Sequence, residues 1–228
     1  MMKKLLEFIY RGSTRLVPSD ITYLLVHAIP DTVLSEDRFE DNSDFQFTEL
    51  IPDQLESHVS VASLQLGQAL IDDMRESGFR FYAAMIDAQI AGYLLVGTGH
   101  IPAHHNSAGA PFAGAGLELP EDAAYVFKCF VKTSVRGQKI MSRLLDYVAA
   151  QQYGNEAVTH LVTTTDWTNH AALGSFRQSG FKPVGKIAEF VFAGRHFYKL
   201  PGPVRLGGGK RASGNTDKVK NVVVFRGK

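Results

Sequence analysis

One run of the chain restricts the fold more than any other: AAYVFKCFV, then the turn KTSVRGQ, then KIMSRLLDYVAAQQ and, after a short break, THLVTTT. The first and last pieces are rich in β-branched and aromatic residues and read as strands. Between them, Ile140, Leu144, Leu145 and Val148 fall on one side of a helix expected over Gln138 to Gln152. Strands and helices alternating in this way put the chain in the α/β class. The turn itself holds Arg136, Gly137 and Lys139, and it enters a helix N-terminus. There, unpaired amides and the positive end of the helix dipole converge on one point, an arrangement suited to a phosphate.

The flanking segments extend the same reading. FQFTELI alternates Phe45, Phe47 and Glu49 as a half-buried strand, and His58 to Glu76 carries apolar residues at helical spacing up to Ser77-Gly78. RFYAAMIDAQIAGYLLVGTG is two apolar runs joined at Asp87-Ala-Gln, a hairpin. His100 to Asp122 is Gly-, Ala- and Pro-rich and reads as a long loop. Asn169 to Ser179 is a second helix stopped by Gly180, and FKPVGKIAEFVFAGRHFYKL closes as two strands turning near Ala193-Gly194. The expected order is strand, helix, hairpin, strand, helix, strand, helix, hairpin.

At 228 residues and 45% apolar, the chain suits one domain with extensions. The expected division is an N-terminal extension over 1–44, a domain over 45–200 and a basic, flexible tail over 201–228. Asp31 to Glu56 is strongly acidic with Arg38 its only basic residue, whereas the tail has Asp217 as its only acid. The net charge of +1 gives no argument for nucleic acid. Cys129 is the only cysteine, which excludes an intrachain disulfide and is compatible with a reducing compartment. No run reaches the roughly 18 apolar residues of a membrane span, and MMKKLLEFIY is broken by Glu7. A cytoplasmic protein without stable membrane insertion is therefore expected. Within the tail, Val222 to Phe225 is expected to add a strand or dock on a partner.

Three motifs in this order resemble the GNAT family of acyl-CoA-dependent N-acyltransferases. Val131 and the turn Arg136-Gly-Gln-Lys-Ile-Met141, followed by Leu144-Leu145, fit the family's R-x-x-G-x-G/A pyrophosphate loop, with Lys139 and Met141 in place of two small residues. Asn169-His-Ala-Ala-Leu-Gly-Ser-Phe-Arg-Gln-Ser-Gly-Phe181 is close to N-x-x-A-x-x-x-Y-x-x-x-G-F, with Phe176 where the family has tyrosine. The third motif is the closing strand pair. The resemblance covers residues 45–200. It implies a mixed, mostly antiparallel central sheet flanked by helices, with two splayed parallel strands, Tyr125 to Val131 and His160 to Thr165, forming the acyl-CoA cleft.

The resemblance further implies an acyl-CoA, acetyl-CoA or another, as co-substrate, and no metal. Its binding residues are expected to be Phe130, Val131, Arg136, Gly137, Gln138, Lys139, Ile140, Met141, Ser142, Asn169 and Phe176, with Lys139 and Met141 in the first helical turn. The implied reaction is direct aminolysis of the thioester by an amine acceptor, a small molecule or a peptide. With Phe176 lacking a hydroxyl, Ser175 is the substitute candidate for protonating the leaving thiolate, and Tyr125, Asp166 and His196 are the candidate bases. His100, His104 and His105 lack a carboxylate or cysteine at ligand spacing and are not read as a metal site. Cys129, on a strand of alternating apolar residues, reads as an inert buried thiol.

Acceptor loops are expected at Leu55 to Val61, His100 to Asp122 and Gly185 to Gly194. Two alternatives keep the fold and change the activity: an acyltransferase taking its acyl group from an acyl carrier protein, favoured by the altered glycine loop, and a catalytically silent GNAT-like binding module, favoured by Phe176. A second copy of the chain is also kept as a candidate partner.

Overall fold

The computed structural model describes residues 19–30, 45–58, 64–102, 105, 116–156, 158–192, 195–199, 204–205 and 222–226. The segment Lys3 to Tyr10, His104 and residues 206–221 lie outside them.

The main sheet has eight strands in the order β10-β9-β1-β8-β7-β4-β3-β2. Its members are β1 (Ser19–Ala28), β2 (Gln46–Leu50), β3 (Arg80–Ile86), β4 (Gln89–Thr98), β7 (Ala123–Val131), β8 (His160–Asp166), β9 (Lys182–Phe192) and β10 (Arg195–Lys199). Neighbours run antiparallel except β7 and β8, which are parallel from Ala123↔His160 to Val126↔Thr163. That crossover passes through helix α3 (Ile140–Glu156). The hairpin between β3 and β4 turns at Asp87 and Ala88, with φ of 46° and 60°, the left-handed pair a tight two-residue turn needs.

Side-chain alternation assigns the two faces. Tyr93 and Leu95 of β4 and Tyr125 and Phe127 of β7 join Leu55, Leu70, Ile71 and Met74 in one core. The latter four belong to α1 (Pro52–Glu56) and α2 (Gln68–Ser77). Leu94, Val96, Ala124 and Val126 join Leu144, Leu145, Val148, Leu173 and Phe176 in the other core, beneath α3 and α4 (His170–Gln178). Helix α4 starts where its sequence indicates: Asn169 Oδ1 accepts the Ala172 amide at 3.1 Å as an N-cap.

Two expectations need correction. Of the helix expected over His58 to Glu76, only α2 forms, starting at Gln68, because Gly67 before it takes an extended φ/ψ of −119°/156° and Gln65 has a φ of 54°; residues 59–63 lie outside the described residues. The expected 1–44 extension contains β1, which pairs with β8 on one side and β9 on the other, so the unit that folds together begins by Ser19. Leu24 and Leu25 of β1 are fully buried, one in each of the two cores.

A smaller sheet, in the order β11-β12-β6-β5, combines β5 (His100–Ile101) and β6 (Gly116–Glu118) with β11 (Val204–Arg205) and β12 (Val222–Arg226). The tail's Val222 to Phe225 thus forms a strand, antiparallel to β6. Among the described residues no helix is long and apolar enough to cross a membrane.

Candidate acyl-donor cleft

The cleft originates in a backbone irregularity. On β4 the register advances two residues from Tyr93 to Leu95, while on β7 it spans three, from Phe130 to Phe127. The extra residue is accommodated with Lys128 at φ 50°, a β-bulge. Before the bulge, Tyr125 and Phe127 face the core under α1 and α2. After it the alternation is reversed: Phe130 packs on that same core, stacked 5.3 Å from Tyr93, while Cys129 and Val131 face the opposite side.

Past Val126↔Thr163 the backbone ladder between β7 and β8 stops. Two side chains bridge its end. Thr163 Oγ1 donates to the Val126 carbonyl at 2.8 Å, and the Tyr125 hydroxyl lies 2.6 Å from Thr164 Oγ1.

At the open end, residues Thr133–Val135 make a 3-10 turn, Arg136 is extended, and Gly137 has φ 87°. A Cβ at Gly137 meets nothing within 4 Å, so glycine is required there by the backbone angle alone. Lys139 is not helical, as expected from sequence, but left-handed at φ 58°. Its carbonyl accepts the Arg143 amide at 3.1 Å, and the helix proper begins at Ile140. The amides of Ile140, Met141 and Ser142 therefore have no carbonyl one turn back to bind. Lys139 stands where the resembled loop has glycine and takes the backbone conformation that glycine would provide.

A cleft of about 630 Å³ opens between this loop and α4, lined by Cys129, Val131, Val135, Arg136, Gly137, Lys139, Ile140, Met141, Ser142, Asn169, Ala171, Ala172, Ser175, Phe176 and Gln178. Its lining holds the cations Arg136 and Lys139 and no carboxylate. Arg136 is tied to the strand end by Nε donating to the Val131 carbonyl at 3.2 Å. Ser142 Oγ donates to Gln178 Oε1 at 3.1 Å, joining α3 to α4.

Most of the residues expected to bind the donor meet in this cleft. Gln138 is exposed on the loop outside the lining, and the ring of Phe130 is on the far face of β7. Sequence alternation missed Cys129, which is exposed rather than buried, because nothing in FKCF announces a bulge.

The four candidate acids and bases are dispersed. Ser175 lines the cleft, its hydroxyl donating to the Ala171 carbonyl at 3.2 Å. Tyr125 is 1% exposed in the α1/α2 core. Burial pushes its phenol well above the usual range, only partly offset by the Thr164 hydrogen bond. Asp166 Oδ1 accepts from the Thr168 amide at 2.6 Å and from its hydroxyl at 2.5 Å, holding the turn into α4. His196 is on β10 opposite Val191, with β9 and β1 between it and β8. Its side chain lies outside the described part of the structure.

The histidines of the long loop are also apart. His100 Nδ1 lies 2.8 Å from Glu118, whereas His105 is buried edge-on to Phe79, its Nε2 3.5 Å from Asp73. Among the described residues no group of three or more His, Cys, Asp and Glu is arranged to hold a metal.

The model of the acetyltransferase (GNAT) family matches residues 45–181. The chain belongs to the GNAT acetyltransferase family. A functionally unknown conserved protein from Staphylococcus epidermidis ATCC 12228 shares the fold at a TM-score of 0.50 and 12% identity, over 80% of this chain and 66% of that one. This GNAT chain thus spans just under two thirds of that protein's length. A putative GNAT acetyltransferase from Novosphingobium aromaticivorans DSM 12444 gives 0.48 and 15%, over 75% of this chain and 62% of that one. AAC(6')-Iy, solved with the bisubstrate analog CoA-S-monomethyl-acetylneamine, gives 0.45 and 17%, over 63% and 94%. No curated protein matches the chain.

Proposed function

We propose that this GNAT protein transfers an acyl group from an acyl-CoA to an amine by direct aminolysis of the thioester. The observation that carries this reading is the cleft between the end of β7, the loop that follows it and α4. It pairs a helix N-terminus with Arg136 and Lys139 and has no carboxylate in its lining. That donor set fits a pyrophosphate: amides without helical acceptors bind the oxygens, and the two cations offset their charge.

When bound, acyl-CoA supplies an activated carbonyl and a thiolate leaving group. The amides of Ile140, Met141 and Ser142 hold the phosphates, Val131 and Cys129 form the wall along the acyl-bearing arm, and Phe176 closes the cleft's floor with a ring that is 3% exposed. Ser175 is assigned a relay role: exchanging its bond to the Ala171 carbonyl for one into the cleft, its hydroxyl passes a proton to the leaving sulfur and takes in return the proton shed by the attacking amine, so the serine ends the step neutral. With an ordinary thiol pKa of about 8.5, the departing thiolate needs little help, so a weak acid suffices. Tyr125 is assigned a structural role.

The acceptor is an amine approaching from the α1/α2 side of the splay. The acyltransferase unit is assigned to residues 19–200. Titrating the purified protein with CoA and acetyl-CoA by calorimetry tests the donor. Release of free thiol from acetyl-CoA, dependent on an added amine, tests the reaction. Absence of CoA binding, with turnover of an acylated carrier protein, would replace this reading with the carrier-dependent one.

A further inference from the structure

A second concavity, of about 210 Å³, lies behind the loop, between the β3–β4 hairpin and the 3-10 turn. Val135 lines both it and the large cleft. We propose that this pocket receives the adenine of the donor's nucleotide end, with Lys132 meeting the 3′-phosphate. The proposal rests on the acyl-CoA reading and specifies which end of that molecule the protein grips.

If the loop amides hold the pyrophosphate and the pantetheine arm enters the large cleft, the nucleotide must leave the loop the other way. The small pocket adjoins it there across one side chain. Its size, below the roughly 300 Å³ at which pockets for whole small ligands begin, suits a single bicyclic ring.

The chemistry of the walls agrees. Ile86 and Val135 offer apolar surface to the ring's faces, while Asp87 and Gln89 supply polar groups at the rim. Adenine presents an exocyclic amine and ring nitrogens, which a carboxylate and a carboxamide satisfy. Asp87 is held by the left-handed turn at φ 46°, and Lys132 is anchored by its amide donating to the Ala91 carbonyl at 2.8 Å. The Lys132 ammonium has no ion-pair partner among the described residues, and Lys132 lines the pocket together with Ser134. In this assignment the 3′-phosphate is placed with Lys132 and Ser134 and the exocyclic amine with Asp87.

Calorimetry with CoA, dephospho-CoA and 4′-phosphopantetheine decides the matter. Ser134 is exposed, so Ser134→Trp fills the pocket without touching the core. The variant is expected to bind CoA at least about tenfold more weakly and 4′-phosphopantetheine as the wild type does. Lys132→Ala is expected to abolish an about tenfold preference for CoA over dephospho-CoA and to leave dephospho-CoA binding unchanged. Unaltered CoA affinity in Ser134→Trp, or equal losses for CoA and 4′-phosphopantetheine, overturns the pocket assignment while the donor reading stands. A wild-type protein that binds 4′-phosphopantetheine but shows no gain with CoA does the same. Binding of neither molecule removes the donor reading and the pocket together.

Discussion

The Tyr125 hydroxyl and the Thr164 hydroxyl, on adjacent parallel strands, lie 2.6 Å apart just where the backbone hydrogen bonds between those strands end. The phenol is buried and serves as a tie across the root of the cleft. Tyr125→Phe is expected to lower unfolding stability by about 1 to 2 kcal/mol, since the hydrogen bond between the two hydroxyls is lost. Denaturant unfolding measures that loss. The pH dependence of kcat is expected to be unchanged, and a lost ionisation in that profile would return Tyr125 to the chemistry.

Lys139 carries a side chain at a φ of 58°, which costs a non-glycine residue about 1 kcal/mol. Lys139→Gly is therefore expected to raise stability by about that much, because the position precedes the helix and no helical entropy is lost. Lys139→Ala keeps the strain and removes only the ammonium. Both variants are expected to weaken CoA binding equally, by about 1 to 2 kcal/mol. Thermal unfolding and calorimetry on the pair separate backbone from charge. Tighter CoA binding by Lys139→Gly would show that the lysine obstructs the site.

Gly137 sits at φ 87° with open space around it. Proline, fixed near −65°, cannot take that angle, so Gly137→Pro is expected to abolish CoA binding in a protein that remains folded by circular dichroism.

Ser175 and Phe176 divide the question of the leaving group. Ser175→Ala is expected to reduce kcat on the order of 10²-fold with KM for the donor nearly unchanged. Phe176→Tyr, which returns a phenol to the cleft, is expected to restore much of that loss in the double variant. Steady-state kinetics at saturating amine is the measurement, and full activity in Ser175→Ala dismisses the serine.

His27 supplies a pH dependence of stability. Burial lowers its pKa from the ordinary 6.5, and the charge of His160 adds to the effect, against a hydrogen bond to the Gly180 backbone. The unfolded chain therefore binds a proton more readily than the folded one. Stability is complete above about pH 6.5 and falls as the pH drops toward the lower folded value. His27→Gln is expected to flatten that decline, as read from unfolding midpoints between pH 5 and 7.5.

Local chemistry made part of this fold readable. Asn169 caps α4 and Gly180, at φ 83°, ends it, both as expected, because capping depends on residues within one turn. The hairpin at Asp87 is legible for the same reason. The bulge at Lys128 was not, since lysine gives no sign of a left-handed backbone, and one inserted residue exchanged the faces of Cys129 and Phe130. Nor did the sequence reveal that Ile21 to Ile29 belongs in the sheet. Its apolar character was visible, but partners in β8 and β9 are chosen by long-range packing that periodicity does not encode.

The position of β1 between β8 and β9 also sets a timetable for making the protein. During synthesis the segment around Leu24 leaves the ribosome long before Thr164 and Gly185, the residues it pairs with. It must wait with its apolar face uncovered until most of the chain has emerged. Contacts so distant in sequence slow folding and lengthen the exposure of sticky intermediates. Pairing of β1 on both edges therefore becomes available only after β9 has been made, which ties the completion of this sheet to the last third of the domain's synthesis.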